Sequence, residues 1–448
     1  MQKSMPNLYD SELQLTEYCL KVNPKSYGSW HHRQWVLITR PDPDWKTELN
    51  LCNKYLKMDE RNFHTWHYRS FVVSKCQPSL KDEFDFTTEK LLDNFSNYSA
   101  WHYRSKMLVE LYPDVKGGRP IEDSHHKHEL KMVQSAAFTD PDDTSAWFYQ
   151  RWLLGAVKNN VDLAVISVTP SNTSLAFSQY VSKDFVNSKI EIIINDLPVS
   201  GEWLSCIGNQ YDNLWIFKHN VLIEDGLDIK VQYEIENGQK QVLSCVPIKP
   251  FTYVGRNKVN FQKHYSVPVL NELKDQLESC RQLLAMEPDN KWTLLTTTVF
   301  LNCINAKLYH TEVIDNLKTL KSIDKLRAGY YEDLKTKWCI ENQLYKDYEN
   351  GELVFKVNFG EKISCLPHLQ YYSHCEKVDL SNQNLTSKVL PSLIVLQNCK
   401  CLSLKNNKLT SLRGFPSLAL EELDLQGNDL DINEVNRIRE VFKGNIIF

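Results

Sequence analysis

The 448 residues, 42% apolar and 24% charged, have the composition of a folded globular chain and exceed one ordinary domain, so two to four are expected. A net charge of −4 gives no overall electrostatic case for nucleic acid. No apolar run approaches the roughly 20 residues that span a bilayer. "MQKSMPNLYDSELQ" holds no continuous signal segment and "GNIIF" no cysteine for lipidation, so a cytoplasmic location is expected.

In chain order, residues 1–160 read as helical repeats. Trp30, Trp66, Trp101 and Trp147 stand 36, 35 and 46 residues apart, the last interval stretched by "PDVKGGRPIEDSHHK". Periods in this range mark arrays of helical hairpins. Each copy opens with an amphipathic stretch: "SELQLTEYCLKV", "TELNLCNKYLKM", "DEFDFTTEKLLD", "HELKMVQSAAFT". Leu13, Leu15, Cys19 and Leu20 recur at the same offsets as Leu49, Leu51, Tyr55 and Leu56. A polar break follows at Asn23, Asp59, Asn94 or Asp140. The second helix then starts at Ser26, Asn62, Asn97 or Asp143, all good N-caps, four residues before each tryptophan.

One hairpin cannot bury both faces, so copies are expected to stack, each tryptophan filling the gap to its neighbour. Arg33, Arg69 and Arg104, three residues after their tryptophans, are expected to hold neighbouring loop carbonyls. The fourth copy has Gln150 there and moves its arginine to Arg151. A weaker fifth copy, "LKDQLESCRQLLAMEPDNKWTLL", carries Trp292.

Residues 161–262 change idiom. "KIEIIIND", "LDIKVQYEIENG" and "QVLSCVPI" alternate like antiparallel strands and predict an inserted, immunoglobulin-like β-sandwich. Helical text resumes over 263–349. Residues 350–448 fit a leucine-rich repeat pattern in "CEKVDLSNQNL", "CKCLSLKNNKL" and "LEELDLQGNDL". Strand starts Val378, Leu402 and Leu423 are 24 and 21 apart, with Asn407 and Asn428 at the turn position, Gln383 replacing it once, and an earlier degenerate copy near Val357.

Twelve cysteines include no CxxC pair, Cys399 and Cys401 being the closest two, so reduced and mostly buried thiols are expected. His125, His126 and His128 follow "KGGRP" in a loop-like stretch and read as a solvated face. His31 and His32, adjacent on a helix, point about 100° apart and cannot chelate together. Nothing offers a nucleophile–base pair, a glycine-rich phosphate loop or a zinc ligand set, so a self-sufficient catalyst is not expected.

Tandem hairpins align their second-helix starts along one edge. That edge carries Lys25, Tyr27 and Gly28; Arg61, Phe63 and His64; Ser96, Tyr98 and Ser99; and Asp142, Thr144 and Ser145. Free amides and the helix dipole suit anions there. Lys25 precedes its cap by one residue and adds positive charge, although a lysine before a helix is ordinarily a solvated side chain.

"NPKSYGSWHHR", "NFSNYSAWHYR" and "SAWFYQRWLLG" resemble the repeats of protein prenyltransferase α subunits. The two added domains resemble the Rab geranylgeranyltransferase (type II) branch of that family, over essentially the whole chain. The resemblance implies a heterodimer in which α hairpins wrap a β subunit that carries zinc and the isoprenoid pocket, with no cofactor on this chain. It implies transfer of geranylgeranyl from its diphosphate to C-terminal cysteines of Rab GTPases presented by a Rab escort protein, which docks on the α helices. No chemistry falls to the β-sandwich or leucine-rich domain. The family's diphosphate-contacting lysine falls on Lys25; Tyr27 and His64 match rim positions, and Tyr98, at the offset of Tyr27 in the third copy, is taken with them. The family's α subunit carries a further stretch, including another repeat, ahead of where this chain starts. Two alternatives remain: the α subunit of farnesyltransferase or the type I enzyme, disfavoured by the extra domains, and a pure interaction scaffold.

Overall fold

A computed structural model of the chain describes residues 6–157, 161–234, 240–350, 354–357 and 360–448. The boundary expected at 160 and the "ENG" turn at 236–238 lie outside the described residues. Two compact units are present, Met1–Lys158 with His264–Thr297, and Asn159–Lys263 with Thr298–Phe448. The helical text of 263–349 is thus divided between them.

Four hairpins open the first unit: α1 (Pro6–Val22) with α2 (Tyr27–Thr39), α3 (Trp45–Met58) with α4 (Phe63–Cys76), α5 (Leu80–Asp93) with α6 (Tyr98–Leu111), and α7 (Asp123–Thr139) with α8 (Thr144–Gly155). The caps do what their chemistry allows. Ser26 accepts from Ser29 N–H, Asn62 from His64 and Thr65, Asn97 from Ala100, and Asp143 from Ser145. Each tryptophan anchor is buried and donates its indole N–H to a carbonyl six residues back: Trp30 to Pro24 and Trp66 to Glu60 at 2.8 Å, Trp101 to Phe95 at 2.8 Å, Trp147 to Pro141 at 3.0 Å. Asn62 Nδ2 donates across to the Pro24 carbonyl at 3.1 Å, and Asn97 Nδ2 to that of Glu60 at 2.9 Å. One oxygen therefore ties a hairpin's own tryptophan to the next hairpin's cap.

The arginines differ from expectation, since their main partners are glutamates of the following hairpin. Arg33 grips Glu48 through two bonds of 2.8 and 2.6 Å, Arg69 grips Glu83 at 3.0 and 2.7 Å, and Arg104 grips Glu129 at 2.7 and 2.6 Å. Tyr68, Tyr103 and Tyr149 each donate to the same carboxylate from the partner helix. These phenols are pushed up by burial and by the adjacent carboxylate. Backbone carbonyls are secondary partners, Leu13 for Arg33 and Phe84 for Arg104, and both lie in helices. A buried ion pair must repay its desolvation through complete hydrogen bonding, which the tyrosine supplies here. In the first hairpin Glu12 and His32 occupy the corresponding glutamate and tyrosine places, 2.8 Å apart.

The fifth hairpin joins α10 (Val267–Met286) to α11 (Lys291–Asn305). Its first-turn amide, Thr293 N–H, donates to Asn290 at 3.1 Å. Trp292 therefore stands two residues past the cap, and Leu294 takes the place of the tryptophan anchors. Counting back 14 residues from each cap gives Glu48, Glu83, Glu129 and here Gln276. Gln276 receives Gln150 Nε2 at 2.9 Å, so an amide pair replaces the ion pair with both partners changed together.

The histidine cluster is a second correction in part: "DSHHKH" begins α7 and is not a loop, and while His128 is exposed as expected, His126 is not. His126 is buried with Nε2 on the Leu153 carbonyl at 3.1 Å, and His125 stacks on Tyr112.

The second unit holds the sheets. β1 (Leu163–Val168), β2 (Thr173–Ser182), α9 (Lys183–Lys189), β3 (Ile190–Ile194), β4 (Leu197–Pro198), β5 (Glu202–Ser205), β6 (Tyr211–Lys218), β7 (Ile229–Glu234), β8 (Lys240–Ser244), β9 (Val246–Lys249) and β10 (Thr252–Arg256) follow in order. They form antiparallel sheets β5-β6-β2-β1-β10-β9 and β4-β3-β7-β8. Ile166, Phe177 and Trp215 from one sheet and Ile192 and Val231 from the other share one buried core. "QVLSCVPI" divides at Cys245 into strands of different sheets.

After α12 (His310–Ile323) and α13 (Ala328–Asn350) come five short parallel strands. These are β11 (Val354–Lys356), β12 (Lys377–Asp379), β13 (Cys401–Ser403), β14 (Glu422–Asp424) and β15 (Asn445–Ile447), with α14 (Ile432–Val441) between the last two. Val378, Leu402 and Leu423 align in register and are buried. Asn407 donates to the Leu380 and Leu404 carbonyls and accepts from Leu385 N–H, bracing successive turns. Of the twelve cysteines six are buried and six half-buried, and none is in a disulfide.

Candidate functional site

The starts of α2 and α4 bring several chosen residues together. Asn23, capping α1, turns the chain by accepting Lys25 N–H on Oδ1 at 3.0 Å. The Lys25 ammonium lies 3.4 Å from Asp59 Oδ2 of the next hairpin, with 65% of the lysine side chain exposed. Tyr27 is exposed, and its ring meets His64 edge-on with centroids 4.2 Å apart. The Phe63 ring also packs on the imidazole, with centroids 3.9 Å apart. His64 itself is buried. Its pKa is held below the usual histidine value, first by burial and then by the charges of Lys25 and His67.

Lys25, Tyr27 and His64 are thus one cluster, with an exposed cation, paired to Asp59, at its rim and a neutral imidazole beneath. Tyr98 stands a hairpin further on, exposed, its ring stacked on His102 at 6.1 Å. Trp30, Arg33, Trp66, Arg69, Trp101, Arg104 and Trp147 lie inside the hairpin array, where they level the helix starts and leave the rim to other side chains. The arrangement suits a polyanion: helix-start amides, a mobile ammonium and aromatic edges, without a nucleophile beside a base. Asp59 was missed as a contact. Its signal was an acidic residue at a break position that asparagine fills in two other copies.

A family model described as protein prenyltransferase alpha subunit repeat matches residues 9–39, 45–76, 80–111 and 126–157, one hairpin each. The geranylgeranyl transferase type-2 subunit alpha of Sus scrofa is 37% identical over 446 residues, covering 94% of this chain and 76% of that protein. The chain belongs to the geranylgeranyl transferase type-2 alpha subunit family. The Homo sapiens subunit is 36% identical over 445 residues with the same two coverages. The Saccharomyces cerevisiae subunit is 30% identical over 250 residues, 54% of this chain and 70% of that one. A type-2 alpha subunit is a component of a protein prenyltransferase, and the first two of the four matched hairpins are those that build the cluster around Lys25. Among the described residues no helix is long and apolar enough to cross a membrane.

Proposed function

We propose that this chain pairs with a β subunit to transfer geranylgeranyl from its diphosphate to C-terminal cysteines of Rab GTPases presented by a Rab escort protein in the cytoplasm. Zinc belongs to the β subunit in this reading, where it would hold the substrate cysteine as thiolate. This chain contributes the leaving-group side. As the thiolate attacks the allylic carbon, charge grows on the departing diphosphate, and a cation held beside it stabilises that charge more than the ground state. The observation that carries the reading is the Lys25 ammonium at the rim of the Tyr27–His64 cluster, beside the amino ends of α2 and α4. The paired antiparallel sheets are read as an immunoglobulin-like sandwich and the parallel strands as leucine-rich repeats, neither with a chemical role. Their support is the common core in one and the 21-to-24-residue strand spacing in the other.

The test is co-expression with a type-2 β subunit and turnover on a Rab–escort complex. Lys25→Ala is expected to leave the heterodimer intact and lower kcat by about 100-fold, the low end of the range for losing one stabilising donor. Unchanged turnover would leave an interaction scaffold, and activity on a CaaX peptide with farnesyl diphosphate would favour the other α subunit class.

A further inference from the structure

Four breaks between helices share one device. Asn23 Oδ1 accepts Lys25 N–H at 3.0 Å, Asp59 Oδ1 accepts Arg61 N–H at 3.2 Å, Asn94 Oδ1 accepts Ser96 N–H at 2.8 Å, and Asp140 Oδ1 accepts Asp142 N–H at 3.2 Å. Each is an Asx turn, which needs only one side-chain oxygen. Asparagine satisfies it in two copies, so the turn at residue 59 does not require a charge. The spare oxygen of Asp59 is the one that faces the Lys25 ammonium of the preceding hairpin at 3.4 Å. The backbone around Asp59 is fixed independently: its N–H donates to the Tyr55 carbonyl at 2.9 Å, and its own carbonyl accepts from Asn62 N–H at 3.1 Å. A rigidly mounted carboxylate therefore meets a long, otherwise mobile lysine.

We propose that Asp59 is a positioning residue for Lys25, holding the ammonium over the α2–α4 rim and offsetting its charge until a diphosphate arrives. The proposal rests on the diphosphate reading of Lys25 given above. Two effects of opposite sign follow. Without the carboxylate, the ammonium carries no counterion that an incoming diphosphate must displace, so ground-state binding of diphosphate tightens. The lysine also loses its fixed bearing, so its stabilisation of the departing group weakens. An anchor that merely built the turn would do neither, because asparagine builds the same turn at 23 and 94.

The experiment compares the heterodimer carrying wild-type chain, Asp59→Asn, Lys25→Ala and the double variant. It measures kcat, KM for geranylgeranyl diphosphate, and inhibition by inorganic diphosphate, with melting temperature as a control for folding. In the presence of Lys25, Asp59→Asn is expected to lower the inhibition constant for diphosphate and to lower kcat, each by about two- to fivefold, the range of a solvent-exposed ion pair. In the Lys25→Ala background it is expected to change neither. The proposal is overturned if Asp59→Asn is silent while Lys25→Ala impairs turnover, or if it acts equally with and without Lys25. Should Lys25→Ala itself be silent, the diphosphate reading fails first and this proposal falls with it.

Discussion

Trp66 and Asn97 donate to one oxygen, the Glu60 carbonyl, from 2.8 and 2.9 Å, although they belong to different hairpins. Asn97 also caps α6 through its other side-chain atom, so two roles reside in one residue. Asn97→Asp keeps the cap and removes the donor. It also sets a buried carboxylate oxygen against the Glu60 carbonyl, so it is expected to cost about 3 kcal/mol or more. Asn97→Ala loses the cap and the donor without burying a charge and should cost about 2 kcal/mol, read from urea unfolding of the chain.

Arg104 and Glu129 are buried and fully partnered. Arg104→Gln strands the carboxylate and is expected to destabilise by about 3–5 kcal/mol. Adding Glu129→Gln should restore most of that loss, because Gln150 and Gln276 already fill the same two places one junction on. A double-mutant cycle measures the coupling; additive losses would mean the amide pair cannot replace the ion pair here.

His64 and His126 have folded pKa values pulled down, both by burial first, His64 also by Lys25. Between the folded value and the unfolded value of about 6.5 the folded chain binds fewer protons. Stability therefore rises with pH across that window and is lost as pH falls from about 6.5 through the folded pKa. Denaturation midpoints at pH 7 and 5.5 should differ in that direction. By NMR titration, Lys25→Met is expected to raise the pKa of His64 and leave that of His126 in place.

Gly28 lies in the first turn of α2, and a Cβ there would meet nothing within 4 Å. Gly28→Ala is expected to stabilise the isolated chain by about 0.5–1 kcal/mol, the usual entropic cost of glycine in a helix. If the proposed β subunit packs over the rim beside Tyr27, the same change should weaken heterodimer formation, measured by calorimetric titration.

Periodicity made the helix starts legible because a cap, a tryptophan and their spacing are all local. Ser26, Asn62, Asn97 and Asp143 begin their helices for reasons visible within five residues. The partners of Arg33, Arg69 and Arg104 were not legible. A glutamate on an amphipathic helix is ordinarily a surface residue, and Glu48, Glu83 and Glu129 become meaningful only when their constant distance from the next cap is noticed. His126 was misjudged for the converse reason: polar neighbours suggested solvent, while α8 folds back and supplies the Leu153 carbonyl. At the site, the role of Lys25 was legible through the family resemblance of its phrase, with its place before a cap in agreement, whereas the break-position acid Asp59 gains its meaning only from contact across hairpins.

The junctions also differ in how far apart their partners lie along the chain. Arg33 reaches Glu48 across 15 positions, Arg69 reaches Glu83 across 14, and Arg104 reaches Glu129 across 25, but Gln150 meets Gln276 across 126. Closing the longest of these loops costs about 2 kcal/mol more entropy than closing the shortest. During synthesis the first four hairpins can zip together as they emerge, while the last must wait for some hundred residues of strand to be made. Assembly of the helical layer is therefore gated at a single late seam, and that seam is the one that replaces the arginine–glutamate grip of the others with an amide pair.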